Sequence, residues 1–113
     1  MIKLENEVAI VTGASRGIGA EIARKLALCS CRVAVNYNKS REKAEQLVDE
    51  IKQTGGTAIA VQADVTKTDE VNKMVETTAK AFGNPTILIN NASSSMISKK
   101  IAKTDWSDFQ SCF

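Results

Sequence analysis

The chain has 113 residues, 43% of them hydrophobic and 25% charged, with a formal net charge of +2. That length suffices for one domain at the small end for a doubly wound sheet, and the weak charge gives no electrostatic reason for a nucleic-acid or membrane-surface partner. No apolar run approaches the ~20 residues of a membrane span, and the start Met-Ile-Lys-Leu-Glu-Asn-Glu lacks a signal-peptide pattern, so a cytoplasmic location is expected.

Residues 7–12 are a β-branched run that predicts the first strand. A turn follows with glycines at 13, 17 and 19, and then a helical pattern over 17–29 with Ile18, Ile22 and Leu26 one turn apart. Strand, Gly-rich turn and helix N-terminus in that order form a phosphate cradle, because unpaired N–H groups and the helix dipole converge there. Gly13 would allow the tight turn, Gly17 the close approach of a pyrophosphate, and Gly19 the contact between helix and strand. An ordinary strand-to-helix turn is the bland alternative.

Cys29 and Cys31 stand at the next junction, with Cys112 near the far end. The C-x-C spacing suits neither a redox pair nor zinc, and the chain has no histidine, so free thiols and no metal site are expected. The second strand is predicted at Arg32–Tyr37 and the second helix at 40–54, burying Ala44, Leu47, Val48 and Ile51 and ending at Gly55-Gly56. The third strand is predicted at Thr57–Gln62. The third helix is predicted at 67–82, opening near Thr66 or Thr68 as N-cap, with Val71, Met74, Val75 and Phe82 on one face and Gly83 at its end. A fourth strand at 86–90 and a last helix at 105–112 complete the pattern. Trp106, Phe109 and Phe113 share one face of that last helix, read as core or subunit interface.

Three β-α crossovers imply a parallel α/β sheet with right-handed connections. The Thr12-Gly13-x-x-x-Gly17-x-Gly19 spacing, the Asp64-Val65 pair and Asn90-Asn91-Ala92 occur in the order and at the distances of the short-chain dehydrogenase/reductase family. The chain resembles that family over roughly residues 4–110, and most resembles 3-oxoacyl-thioester reductases. The resemblance implies the N-terminal half of a Rossmann-type doubly wound fold, strand order 3-2-1-4, in a single domain covering 1–113. It also implies a nicotinamide dinucleotide held by Gly13, Ser15, Arg16, Gly17, Ile18, Gly19, Asn38, Ser40, Arg41, Asp64, Val65, Asn91 and Ala92. Asn90 would be structural, and full-length relatives would be homo-oligomers.

NADP is expected rather than NAD. NAD enzymes usually place an acid about 20 residues past the glycines to hold the ribose 2′-hydroxyl. Residues 36–41 contain none and offer Lys39, Ser40 and Arg41 at a helix start instead, with Arg16 nearby. These residues could equally just cap a solvated helix.

The family's catalytic Ser and Tyr-x-x-x-Lys have no match here. The single tyrosine, Tyr37, falls at the ribose end, so the chain alone is expected to be inactive as a reductase. Ser93 replaces the family's glycine beside the nicotinamide ribose, and Ser30 replaces the usual helix-ending glycine. The leading expectation is therefore the cofactor-binding portion of an NADP-dependent short-chain oxidoreductase, truncated before its catalytic segment. The alternative is a non-catalytic nucleotide-binding or interaction module completed by a partner chain, motivated by a fourth strand expected to form an exposed apolar edge.

Overall fold

β1 (Val8–Val11) is buried at all its positions, as a central strand covered on both faces must be. The computed structural model describes residues 3–91 and the backbone of 97–100. The expected helix at 105–112 with its aromatic stripe, the serines at 93–95, Ala92 and Cys112 all lie outside the described residues. After β1 come α1 (Gly17–Leu28), β2 (Arg32–Tyr37), α2 (Arg41–Gln53), β3 (Thr57–Gln62), α3 (Thr68–Phe82), β4 (Ile87–Asn90) and β5 (Ile97–Lys100).

The sheet order is β3-β2-β1-β4-β5. The first four strands are parallel, and β2 and β3 pair along their whole length, from Arg32↔Thr57 to Tyr37↔Gln62. Alternate side chains divide the core. Ala9, Val11, Val33, Val35, Ile87 and Ile89 pack toward Ala23 and Leu26 of α1 and Leu47, Val48 and Ile51 of α2. Ile10, Ala34 and Val61 face the other way, against Met74 of α3. At the start of β4, Thr86 exchanges hydrogen bonds with Val8 through both its backbone and its hydroxyl.

Three expectations are corrected. The fourth strand is not an edge: β5 pairs with it antiparallel, from Ile87↔Lys100 to Asn90↔Ile97, so backbone groups expected to be open are taken up. The α3 stripe is displaced as well. Val75 is 39% exposed, whereas Thr78 is fully buried and satisfies its hydroxyl on the Met74 carbonyl one turn back. Finally, α3 is capped at Lys67, not at a threonine, with no side-chain cap bond. Thr66 is engaged elsewhere, donating to Asp64 in an Asx-type turn.

Helices α1 and α2 end in the same way. The N–H of Ser30 bonds the Ala27 carbonyl and that of Cys31 bonds Leu26. In α2, Gly55 bonds Lys52 and Gly56 bonds Ile51. Both are Schellman ends, whose first residue past the cap adopts positive φ. At Gly55 (φ 88°) this conformation is unstrained, whereas Ser30 holds φ 69° with a Cβ. Ser30→Gly is therefore expected to stabilise the fold by about 1 kcal/mol, read as a raised thermal midpoint. The neighbouring Cys29 and Cys31 are both buried, and the Cys31 thiol donates to the Glu7 carbonyl at 3.4 Å.

Candidate functional site

A cleft of about 630 Å³ opens at the carboxyl ends of the first three strands and of β4. β1 lies between β2 on one side and β4 on the other, which makes this the point where the chain's path reverses across the sheet. In open α/β sheets ligands bind at such a crevice.

The turn after β1 is fixed from both flanks. Asn36 of β2 is 2% exposed. Its Oδ1 accepts the Gly13 N–H at 3.2 Å, while its Nδ2 donates to the carbonyls of Val61, Ala63 and Tyr37 at 3.3, 3.2 and 3.4 Å. Its backbone carbonyl also accepts the Ala14 N–H. On the β4 side, the Thr12 hydroxyl accepts the Asn91 N–H at 2.9 Å and donates to Asn90 Oδ1 at 3.1 Å. Asn91 Nδ2 reaches the Gly13 carbonyl at 3.4 Å.

Beyond these anchors the turn is open. The backbone N–H groups of residues 15–19 have no hydrogen-bond partner among the described residues. Arg16, the N-cap of α1, contributes no side-chain cap. The N-terminus of α1 thus presents free donors and the positive end of its dipole, the requirement for holding an anion.

The three glycines differ in what they permit. Gly13 and Gly17 hold φ 59° and 65°. At Gly17 nothing lies within 4 Å of where a Cβ would stand, so the space beside it is free for a ligand. At Gly19 a Cβ would come within 2.6 Å of Asn91 Nδ2, 2.7 Å of the Gly13 carbonyl oxygen and 3.0 Å of Ala14 Cα. Gly19 therefore lets α1 lie directly on the turn.

Of the residues expected at the site, Gly13, Ser15, Arg16, Asn38, Ser40, Asp64, Val65 and Asn91 line the cleft. Gly17, Ile18 and Gly19 form the first turn of α1 at its mouth, and Arg41 opens α2 next to Ser40. Ile18 departs from its expected place in the helix's apolar row: it is 63% exposed, whereas Leu26 is fully buried. Ile18 stands on the exposed side of the first turn of α1, whose Gly19 and Ala20 are the buried residues. Ser40, the N-cap of α2, makes no side-chain cap bond, so simple capping does not explain it.

Tyr37 and Lys39, expected at the ribose end, line the cleft too, whereas sequence reasoning missed Asn36, Ala63 and Thr66 as lining residues. The signal for Asn36 was a lone amide after the apolar run Val33–Val35 of β2, which a buried position requires to be fully hydrogen-bonded.

The electrostatics are uneven along the cleft. Arg16 and Lys39 line it, and Arg41 stands just outside. Asp64 is the acid among the lining residues. The Thr66 hydroxyl, at 2.6 Å, and the Thr66 N–H, at 3.0 Å, hold its carboxyl below the usual range, with help from Lys67 and Lys39. Asp64 is therefore ionised at neutral pH. Its own N–H bonds Glu70 at 2.9 Å, which fixes the loop that carries it.

The short chain dehydrogenase model matches residues 7–113. The chain belongs to the short-chain dehydrogenase family. It is 44% identical over 105 residues to the 3-oxoacyl-[acyl-carrier-protein] reductase FabG of Staphylococcus epidermidis, a match covering 91% of this chain and 43% of that protein. It is 49% identical over 90 residues to versicolorin reductase of Emericella nidulans, covering 80% of this chain and 34% of that one. The chain thus spans less than half the length of these short-chain dehydrogenase relatives.

Solved structures agree with the fold. A dehydrogenase/reductase from Sinorhizobium meliloti superposes with TM-score 0.78 at 38% identity, covering 97% of this chain and 43% of that one. A short chain dehydrogenase from Burkholderia cenocepacia, solved in complex with NADP, gives TM-score 0.76 at 46% identity, covering 80% and 37%. Among the described residues, no helix is long and apolar enough to cross a membrane.

Proposed function

We propose that this chain is the NADP-binding portion of a short-chain oxidoreductase that exchanges hydride between NADPH and a carbonyl or secondary alcohol. A 3-oxoacyl thioester fits as the substrate class, given the identity to the Staphylococcus reductase. The observation that carries the reading is the cleft itself: a glycine turn with free N–H groups at one end, and cations without a repelling acid where β2 stops.

In this reading the N–H groups of residues 15–19 receive the pyrophosphate, and Gly17 leaves room for it to approach. Asp64 and Val65, beside the end of β3, flank the adenine. Lys39, Ser40, Arg41 and Arg16 surround the 2′-phosphate, and Asn38 borders the ribose, its backbone and amide oxygens held by Gln62 at 3.2 and 3.4 Å. Asn91 lies toward the nicotinamide half. The bound cofactor supplies the hydride chemistry. These residues contribute binding and orientation, and the described cleft presents no proton donor paired with a lysine.

Half-cofactor analogues test the reading without requiring turnover. Adenosine 2′,5′-bisphosphate is expected to bind more tightly than AMP. Arg41→Ala is expected to reduce that preference roughly fivefold, the upper range for one exposed charge pair. Rising salt should shrink it too, because exposed charges are screened over ~10 Å. Equal affinity for the two ligands, measured by titration calorimetry, would leave Lys39, Ser40 and Arg41 as ordinary residues of a helix start.

A further inference from the structure

Tyr37 closes β2 and is 6% exposed, yet its hydroxyl reaches the foot of the next helix. There it accepts a hydrogen bond from Nε of Arg41 at 3.2 Å. Glu45, one turn further along α2, lies 3.5 Å from the same Nε. Both contacts use one nitrogen, and the terminal pair Nη1 and Nη2 has no partner among the described residues. The side chain is 73% exposed and would otherwise sample many rotamers. A guanidinium tethered at Nε keeps the two parallel donors that match a phosphate bidentately, with less ordering left to do on binding.

We propose that Tyr37 is a positioning residue for 2′-phosphate selectivity: its buried hydroxyl holds Arg41 by Nε and leaves the Nη1/Nη2 edge free for the phosphate. This rests on the reading of the cleft as an NADP site, and adds that charge alone does not set the preference. The tyrosine ring is fixed by the core, so the tether is anchored in the sheet and not in a mobile loop. Lys39 and Ser40, which line the cleft beside it, have no such anchor among the described residues.

The test is a double-mutant cycle on the 113-residue chain, reading the affinity ratio for adenosine 2′,5′-bisphosphate over AMP. Tyr37→Phe removes the acceptor and keeps the ring. It is expected to lower the ratio roughly threefold, the scale of one lost hydrogen bond, and to leave AMP affinity unchanged. In an Arg41→Ala background the same change should have no further effect on the ratio. Arg41→Lys, which keeps the charge but loses the tethered fork, should lower the ratio as Tyr37→Phe does.

The proposal is overturned if Tyr37→Phe weakens both ligands equally, since that marks a merely structural role. It is overturned too if Tyr37→Phe or Arg41→Lys keeps the full ratio, or if Tyr37→Phe still acts without Arg41. These failures leave the NADP reading intact. A parent chain with no preference at all would overturn both.

Discussion

Gly19→Ala is expected to destabilise the fold by about 1–3 kcal/mol, the range for a methyl forced into a filled site. The new carbon would meet the Gly13 carbonyl oxygen at 2.7 Å and Ala14 Cα at 3.0 Å, both backbone atoms of a turn already anchored on two sides. Asn91 Nδ2, at 2.6 Å, could swing away, but only by giving up its bond to the same carbonyl. The remaining relief is for α1 to lift off the turn, which would displace the free N–H groups at its start. Adenine nucleotide affinity should therefore fall by more than the stability loss explains, because binding depends on where those groups point. Chemical denaturation and nucleotide titration of the same variant check both effects. A normally stable Gly19→Ala with unchanged affinity would show that the close approach has no importance.

Asn36→Leu is expected to cost about 2–4 kcal/mol, since loss of one partner leaves buried groups unsatisfied at roughly 1–3 kcal/mol each. The change strands the Gly13 N–H and removes the donor from the carbonyls of Val61 and Ala63. Leucine also must fit where an amide of similar volume lay among polar atoms. Asn36→Asp gives a sharper comparison. It keeps the acceptor for Gly13 but turns a charged oxygen toward two carbonyls, so burial and repulsion raise its folded-state pKa. A raised pKa means that stability is greatest in acid, where the protonated carboxyl donates again, and is lost as pH rises through that value. Denaturation midpoints that decrease from acid to neutral pH for Asn36→Asp, against a flat difference for Asn36→Leu, are the expected pattern.

The contrast between these two residues shows what a sequence makes legible. Gly13, Gly17 and Gly19 announce their roles because backbone conformation and close approach restrict the residue type locally. β2 and β3 were also placed to the residue, being apolar runs bounded by turn and helix signals. Asn36 could not be read that way. Its hydrogen bonds run to Gly13 and to the end of β3, and only the assembled sheet brings those groups together.

Thr78 escaped notice for a related reason. A threonine that bonds its own helix backbone can be buried as if it were apolar. Ile18 misled in the opposite sense, fitting the period of α1 but falling on the exposed side of its first turn, where Gly19 and Ala20 are the buried residues. β5 had no local signature: Ile-Ser-Lys-Lys neither alternates nor clusters apolar residues, and its pairing is set by the open side of β4. In the candidate site, the glycine turn was legible in the sequence. The site was illegible where a tyrosine core residue also tethers an arginine.

The split character of the glycine turn has a consequence for amide exchange. The N–H groups of Gly13 and Ala14 are bonded to Asn36, so they should exchange with solvent only when the sheet end itself opens. A few residues later, the amides of 15–19 are unbonded and should exchange almost as fast as in a free peptide. One short stretch thus contains its own slow internal standard and its own fast reporter. An anion seated on α1 would slow the second group and leave the first unchanged, so occupancy could be followed on the backbone itself.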